Sequence, residues 1–207
     1  MKSLAELFQK CLHASYISTA GDGDFAVERE DDGIYIYLED SDGENDWKTN
    51  LSFFPVPYKR EGRTVFWAHR GFLRVFLEIL PHVVPEIKDK RNRRFTVVGY
   101  SHGGALAALL YEHILFLRPE LEGQVNGYGF GTPRVFFGGK RDALRERFSR
   151  FAVVRNREDI VTHLPPAALG FFHAGEVLCI GKAGQYSPIE AHRPQNILSE
   201  LDAKKKT

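Results

Sequence analysis

The sequence predicts an α/β fold: a mostly parallel central sheet with helices on both faces. Three observations carry this. Strand-length apolar runs alternate along the chain with segments of helical periodicity. The clearest run, residues 95–100 (Phe-Thr-Val-Val-Gly-Tyr), is followed directly by a long small-residue helix, the strand–helix succession from which parallel sheets are built. No repeat, low-complexity segment or Pro/Gly/Ser-rich linker divides the 207 residues, and 43% hydrophobic with 27% charged residues is an ordinary globular balance. The chain therefore reads as one domain, 1–207.

Taken in order, Leu4, Leu7, Phe8, Cys11 and Leu12 recur at helical spacing and predict an amphipathic helix lying on the domain. Glu6, Gln9, Lys10 and His13 break any uninterrupted apolar stretch of the kind a secretory signal needs, so a cytoplasmic location is expected. Residues 34–38 read as a buried strand, and the acidic stretch 40–45 as the loop after it. A short strand over 64–67 leads to a helix over 71–79 that places Phe72, Val75, Phe76 and Ile79 on one face. Pro81 and Pro85 are expected to interrupt or end that helix. After the central strand, a helix is predicted from about 104 to 117, with strands over 125–130, 151–155 and 177–180 and helices over 143–148 and 196–201.

Composition excludes several classes. Lys+Arg 28 against Asp+Glu 27 gives a net charge of +1, without the basic excess of a nucleic-acid binder. No apolar run approaches the roughly 20 residues that span a bilayer. Cys11 and Cys179 match no metal or redox spacing, so two buried thiols are expected instead of a disulfide. The Lys204–Lys206 run reads as a solvated end.

Chemistry enters at Gly99-Tyr100-Ser101-His102-Gly103, which fits G-x-S-x-G and lies between a β-branched strand and a small-residue helix. A sharp turn there holds the serine in a strained conformation with its hydroxyl above the sheet. Side chains at Gly99 and Gly103 would collide with the turn or the neighbouring strand. Gly104, Ala105, Ala107 and Ala108 let the helix approach the sheet, and its positive end faces any developing oxyanion.

A serine needs a histidine to take its proton and an acid to orient that histidine. The chain order expected for this turn is serine, acid, histidine. Asp159 follows the strand over 151–155 and is the first candidate acid, with Glu158 second; Asp142 lies early, where it caps a helix. Of the later histidines, His163 shares a turn with the acid and His173 precedes the last strand. His192 follows that strand, where the base belongs. His102 is expected to contribute its backbone N–H, not its imidazole.

These residues bring a family into view: the sequence resembles the fungal-type, or class 3, lipases of the α/β-hydrolase fold from about residue 34 to 192. Residues 99–107 look like the family's G-H-S-L-G-G-A-L-A block, and 130–135 (Phe-Gly-Thr-Pro-Arg-Val) its F-G-x-P-R-V block. Asn156, Asp159, Val161, Leu164 and Pro165 echo N-x-x-D-x-V-x-x-L-P. His173, Gly175 and Glu176 resemble H-x-G-x-E, Ala191-His192 the terminal A-H, and His69-Arg70-Gly71-Phe72 the structural H-x-G-F.

The resemblance implies a serine carboxyl-ester hydrolase of acylglycerol or other lipid esters, with a Ser101–His192–Asp159 triad and no metal or cofactor. It also implies transient contact with a lipid interface, no nucleic-acid partner and no obligate protein partner. The amides of His102 and Ser41 are the implied oxyanion donors, although Glu39-Asp40-Ser41 stands where the family has R-G-T. The lid segment, 42–50, is short and acidic. Trp47 within it and Phe136, which replaces a glycine after P-R-V, are candidate acyl-pocket residues. Weaker alternatives are a nearly inactive lipid- or protein-binding module, and a thioesterase or acyltransferase with the same triad.

Overall fold

The computed structural model describes residues 2–21, 23–40, 53–60, 62–139 and 141–204. The elements run α1 (Leu4–His13), β1 (Ile17–Ser18), β2 (Gly23–Glu30), β3 (Gly33–Asp40), β4 (Pro55–Arg60), β5 (Arg63–His69), α2 (Arg70–Lys88), β6 (Phe95–Tyr100), α3 (His102–Leu117), β7 (Val125–Phe130), β8 (Phe136–Phe137), α4 (Arg141–Arg147), β9 (Phe151–Asn156), β10 (Phe171–Phe172), β11 (Glu176–Ile180) and α5 (Pro194–Lys204). The main sheet has seven strands in the order β1-β2-β3-β6-β7-β9-β11. From β3 to β11 every neighbouring pair is parallel, and β1 and β2 extend the sheet antiparallel. This is the expected mostly parallel sheet.

Side chains alternate across the strands because successive Cβ atoms point to opposite faces. Ile34, Ile36 and Leu38 of β3 join one core with α2 and α3, whereas Tyr35 and Tyr37 join a second core with α1 and α5. The predicted N-terminal helix forms and buries Ala5, Leu7, Phe8 and Cys11. Ser3 and Glu6 close its start as a reciprocal capping box. Among the described residues no helix is long and apolar enough to cross a membrane.

Four expectations are corrected. The helix expected to stop near Pro81 runs through Pro81 and Pro85 to Lys88. A helix-interior proline costs about 3 kcal/mol. The outweighing gain is a continuous buried face of Leu73, Val75, Phe76, Ile79, Val83 and Ile87, each worth roughly 1.5–3 kcal/mol. Five strands were not anticipated: β1, β2, β4, β8 and β10. β4 carries Pro55 and Pro57 but is an edge strand, where a missing N–H costs no ladder bond; it joins a separate four-stranded sheet, β10-β8-β5-β4. Cys179 is half-buried, its sulfur accepting from Arg155 at 3.3 Å. Phe136 belongs to the core, not an acyl pocket: it is 1% exposed and packed against Phe66, Phe148 and Phe172. Much of the aromatic content sits in such ring-on-ring contacts.

The core also buries ionisable groups. On α3, Glu112 is 2% exposed, with Arg60 and Arg147 at 3.6 and 3.5 Å, and burial raises its carboxyl to about 7. The next residue, His113, is hydrogen bonded to the Tyr58 hydroxyl at 3.0 Å, and burial lowers it to about 3. Burial likewise lowers His69 and His173 to about 4. A histidine whose pKa is depressed on folding gives stability that is present above about pH 6.5 and lost as pH falls toward the folded value. Glu112 has the opposite sign: its raised pKa favours the fold below about pH 4.5, and that contribution is lost as pH rises through 7. Between pH 7 and pH 5 the three histidines act against the one glutamate, and their larger number sets the sign: stability falls as the pH is lowered. Differential scanning fluorimetry should therefore show a lower Tm at pH 5 than at pH 7.

Candidate active site

The strand β6 ends at Tyr100 and α3 begins at His102, leaving Ser101 alone to reverse the chain. Its φ of 52° and ψ of −120° make it the only non-glycine residue with positive φ among the described residues. Backbone in such a sparsely populated region costs of order 1–3 kcal/mol and persists only where its surroundings enforce it. The enforcement comes from the packing of β6, α3 and β3. A Cβ on Gly99 would lie 2.0 Å from the Gly103 carbonyl oxygen, and one on Gly103 would lie 2.0 Å from the Leu38 carbonyl oxygen. One glycine thus admits the turn itself, the other the neighbouring strand, as the sequence led us to expect. Ser101 N–H donates to Phe130 O at 2.8 Å, tying the turn to β7.

Two later loops meet the serine. His192 closes a 3-10 turn, Glu190–His192, and places Nε2 2.9 Å from Ser101 Oγ. Its Nδ1 lies 3.0 Å from both carboxylate oxygens of Asp159. Asp159 stands in the turn after β9 and is fully buried, while the His192 side chain is 13% exposed. The Asp159 carboxylate also accepts from the Val161 N–H at 2.9 Å, and the Thr162 hydroxyl donates to Asp159 O at 2.8 Å. The acid is therefore fixed by its own turn before it meets the imidazole. An Nδ1–H donated to Asp159 leaves Nε2 as the acceptor facing the serine hydroxyl, the tautomer that proton abstraction requires.

The other candidates lie elsewhere. Glu158 accepts from Gly184 N–H at 2.9 Å, away from the imidazole. His163 is exposed, with Nε2 3.5 Å from Arg155 Nη1, and His173 donates to Thr162 O at 2.9 Å. The His102 ring lies against Phe72, centroids 5.0 Å apart, and its backbone N–H sits at the first position of α3, beside Ser101. Buried His69 also packs against Phe72, with centroids 4.3 Å apart. Ser41, Trp47 and the lid segment lie outside the described residues. No cluster of His, Cys, Asp and Glu side chains that could hold a metal ion occurs among the described residues.

The sequence profile of the family Lipase (class 3) matches residues 35–169, more than half of the chain. The chain belongs to the class 3 lipase family. Among curated proteins it is similar to a lipase of Rhizomucor miehei, 35% identical over 149 residues; the match covers 69% of this chain and 40% of that protein's length. The solved lipase of Rhizopus microsporus var. chinensis shares the fold, with a TM-score of 0.71 at 22% identity over 91% of this chain and 71% of that one. A triacylglycerol lipase structure, whose catalytic centre is described as formed by a serine protease triad, is 30% identical with a TM-score of 0.68. It matches 81% of this chain and 66% of that one.

In this member of the class 3 lipase family, the imidazole is held by three residues that sequence reasoning did not single out. Tyr100 stacks on His192, with centroids 5.1 Å apart, and donates its hydroxyl to His192 O at 2.7 Å. Asn156 Nδ2 donates to Ala191 O at 3.0 Å from a buried position. Gly131, at φ 58°, leaves room for the ring: a Cβ there would stand 2.8 Å from His192 Cε1 and 3.0 Å from an Asp159 oxygen. Gly131 and Asn156 both fall in family blocks quoted above, so the signal was present without its meaning. Tyr100 occupies a variable position of G-x-S-x-G, where spacing says nothing about side-chain direction.

Proposed function

We propose that this chain is a serine carboxyl-ester hydrolase that cleaves acylglycerol or other lipid esters through an acyl-enzyme. The observation that carries this is the unbroken hydrogen-bond line from Ser101 Oγ through His192 to buried Asp159, on a serine with strained backbone. Ser101 Oγ attacks the ester carbonyl carbon while His192 Nε2 takes its proton. Asp159 holds the imidazole in the needed tautomer and stabilises the imidazolium. The backbone N–H of His102, at the positive end of α3, donates to the tetrahedral oxyanion; the second donor is assigned to Ser41 only by the family resemblance. The tetrahedral species collapses, the C–O bond to the alcohol breaks, and His192 returns the proton to the departing oxygen. Water then attacks the acyl-enzyme, with His192 again as base, and releases the carboxylic acid. Membership of the class 3 lipase family and the triacylglycerol lipase among its structural relatives support an acylglycerol substrate.

The test is a series of p-nitrophenyl esters of graded acyl length together with an emulsified triacylglycerol. Hydrolysis that rises with chain length and extends to the triacylglycerol is the expected result. Activity confined to acetyl and butyryl esters would make the chain an esterase of small soluble substrates. No hydrolysis of any member would remove the hydrolase reading.

A further inference from the structure

His192 sits on an unusually long connection. Between β11 and α5 the chain runs through residues 181–193 with a single short 3-10 turn and mostly exposed side chains. Its own hydrogen bonds, such as Ala191 N–H to Ser187 O at 2.9 Å and His192 N–H to Ile189 O at 3.2 Å, and the Asn156 bond to Ala191 O, hold backbone and do not touch the imidazole ring. Restraint on the ring itself comes from elements outside the segment.

Tyr100 supplies two such restraints from one side chain. Its hydroxyl donates to the backbone carbonyl of His192 at 2.7 Å, fixing where the residue's main chain stands. Its ring lies against the imidazole at 5.1 Å and 23°, fixing the plane of the ring. Being the residue before Ser101, it moves with the strained serine turn and shares its rigidity. Tyr100 is itself braced: Phe8 of α1 meets it edge-on at 5.5 Å and 63°, and Phe8 stacks on Phe130 of β7 at 4.5 Å and 28°. A line of rings thus runs from Phe130 in the core, through α1, to the imidazole.

We infer that Tyr100 is a positioning residue that locks His192 onto the Ser101–Asp159 line, with α1 as its buttress; the inference rests on the hydrolase reading above. Two components are separable. The hydroxyl holds the backbone, and the ring holds the imidazole plane. Small errors at this point are costly, because a 1 Å misplacement of a catalytic group lowers rate by about 10²-fold.

The experiment compares the full chain with Tyr100→Phe and Tyr100→Leu, using a p-nitrophenyl ester. Rates are divided by the number of sites that a fluorophosphonate labels once labelling has run to its end point, so neither loss of folded protein nor slower labelling distorts the rate. Tyr100→Phe keeps the ring and should lower kcat about 3- to 10-fold. Tyr100→Leu loses ring and hydroxyl and should lower it about 10²-fold. KM should stay within about twofold of wild type in both, since Tyr100 acts through His192 and not on substrate. A second readout needs no turnover: the low-field proton resonance of His192 Nδ1–H, assigned by its loss in His192→Gln. It should persist in Tyr100→Phe and broaden or vanish in Tyr100→Leu. A Tyr100→Leu variant with wild-type kcat per labelled site and an unchanged resonance would overturn the inference. A wild-type chain that neither turns over nor labels would instead overturn the hydrolase reading, and the resonance would still decide the role of Tyr100.

Discussion

Replacing Ser101 with alanine is expected to lower ester hydrolysis by about 10⁵–10⁶-fold while leaving the fold in place. The serine hydroxyl is the only nucleophile at the meeting point of His192 and Asp159 within the described residues, so no neighbour can take over its bond to the acyl carbon. The residue left behind still has a Cβ and still must adopt a φ of 52°, so the strain of the turn is unchanged and Tm should move little. His192→Ala should cost a similar amount, because a serine without its base is a weak nucleophile. The double variant should be little worse than either single one, as groups acting in a single step are strongly non-additive. Initial rates with a chromogenic ester, alongside thermal melts, check all of this. A Ser101→Ala protein retaining more than a few per cent of wild-type activity would place the chemistry at another residue.

Gly103→Ala should be among the most disruptive single-methyl additions within the described residues. Its Cβ would stand 2.0 Å from Leu38 O, 2.7 Å from Leu38 C and 3.0 Å from Glu39 Cα, all backbone atoms of β3. That strand cannot yield, since β2 and β6 are hydrogen bonded to its two edges. The start of α3 must move instead, and with it Ser101 and the His102 amide. Overpacking against fixed backbone costs typically 1–3 kcal/mol and here should reach the upper end or beyond. We expect Tm to drop by about 10 °C and activity to fall by about 10²-fold or more in the protein that remains folded. Gly139→Ala is the control, since a Cβ there meets nothing within 4 Å, and it should be neutral in both measurements.

The two glycines show why the site was readable from the chain. A sharp strand-to-helix turn around an exposed serine demands residues without side chains at set distances on either side, so the constraint is local and appears as spacing. The order serine, acid, histidine is similarly a property of strand succession, and it led to Asp159 and His192 ahead of their sequence neighbours Glu158 and His163. What the chain hid was set by tertiary context. Pro81 and Pro85 read as helix breakers because propensity is local, whereas the buried face that carries α2 past them is not. Pro55 and Pro57 masked β4 because nothing local announces an edge strand. Phe136 offered a large apolar side chain beside a family block, and only the three-dimensional arrangement shows it turned inward against Phe66 and Phe148. Tyr100 was passed over for the same reason, its contact with His192 spanning 92 positions.

Covalent titration reads out whether Ser101 is an activated nucleophile. The chain is incubated with a fluorophosphonate at neutral pH and the adduct is mapped by peptide mass spectrometry. A single stoichiometric adduct on Ser101, absent in Ser101→Ala and formed at least about 10²-fold more slowly in His192→Ala, is the predicted result. Labelling at another residue, or equal labelling with and without His192, would contradict it.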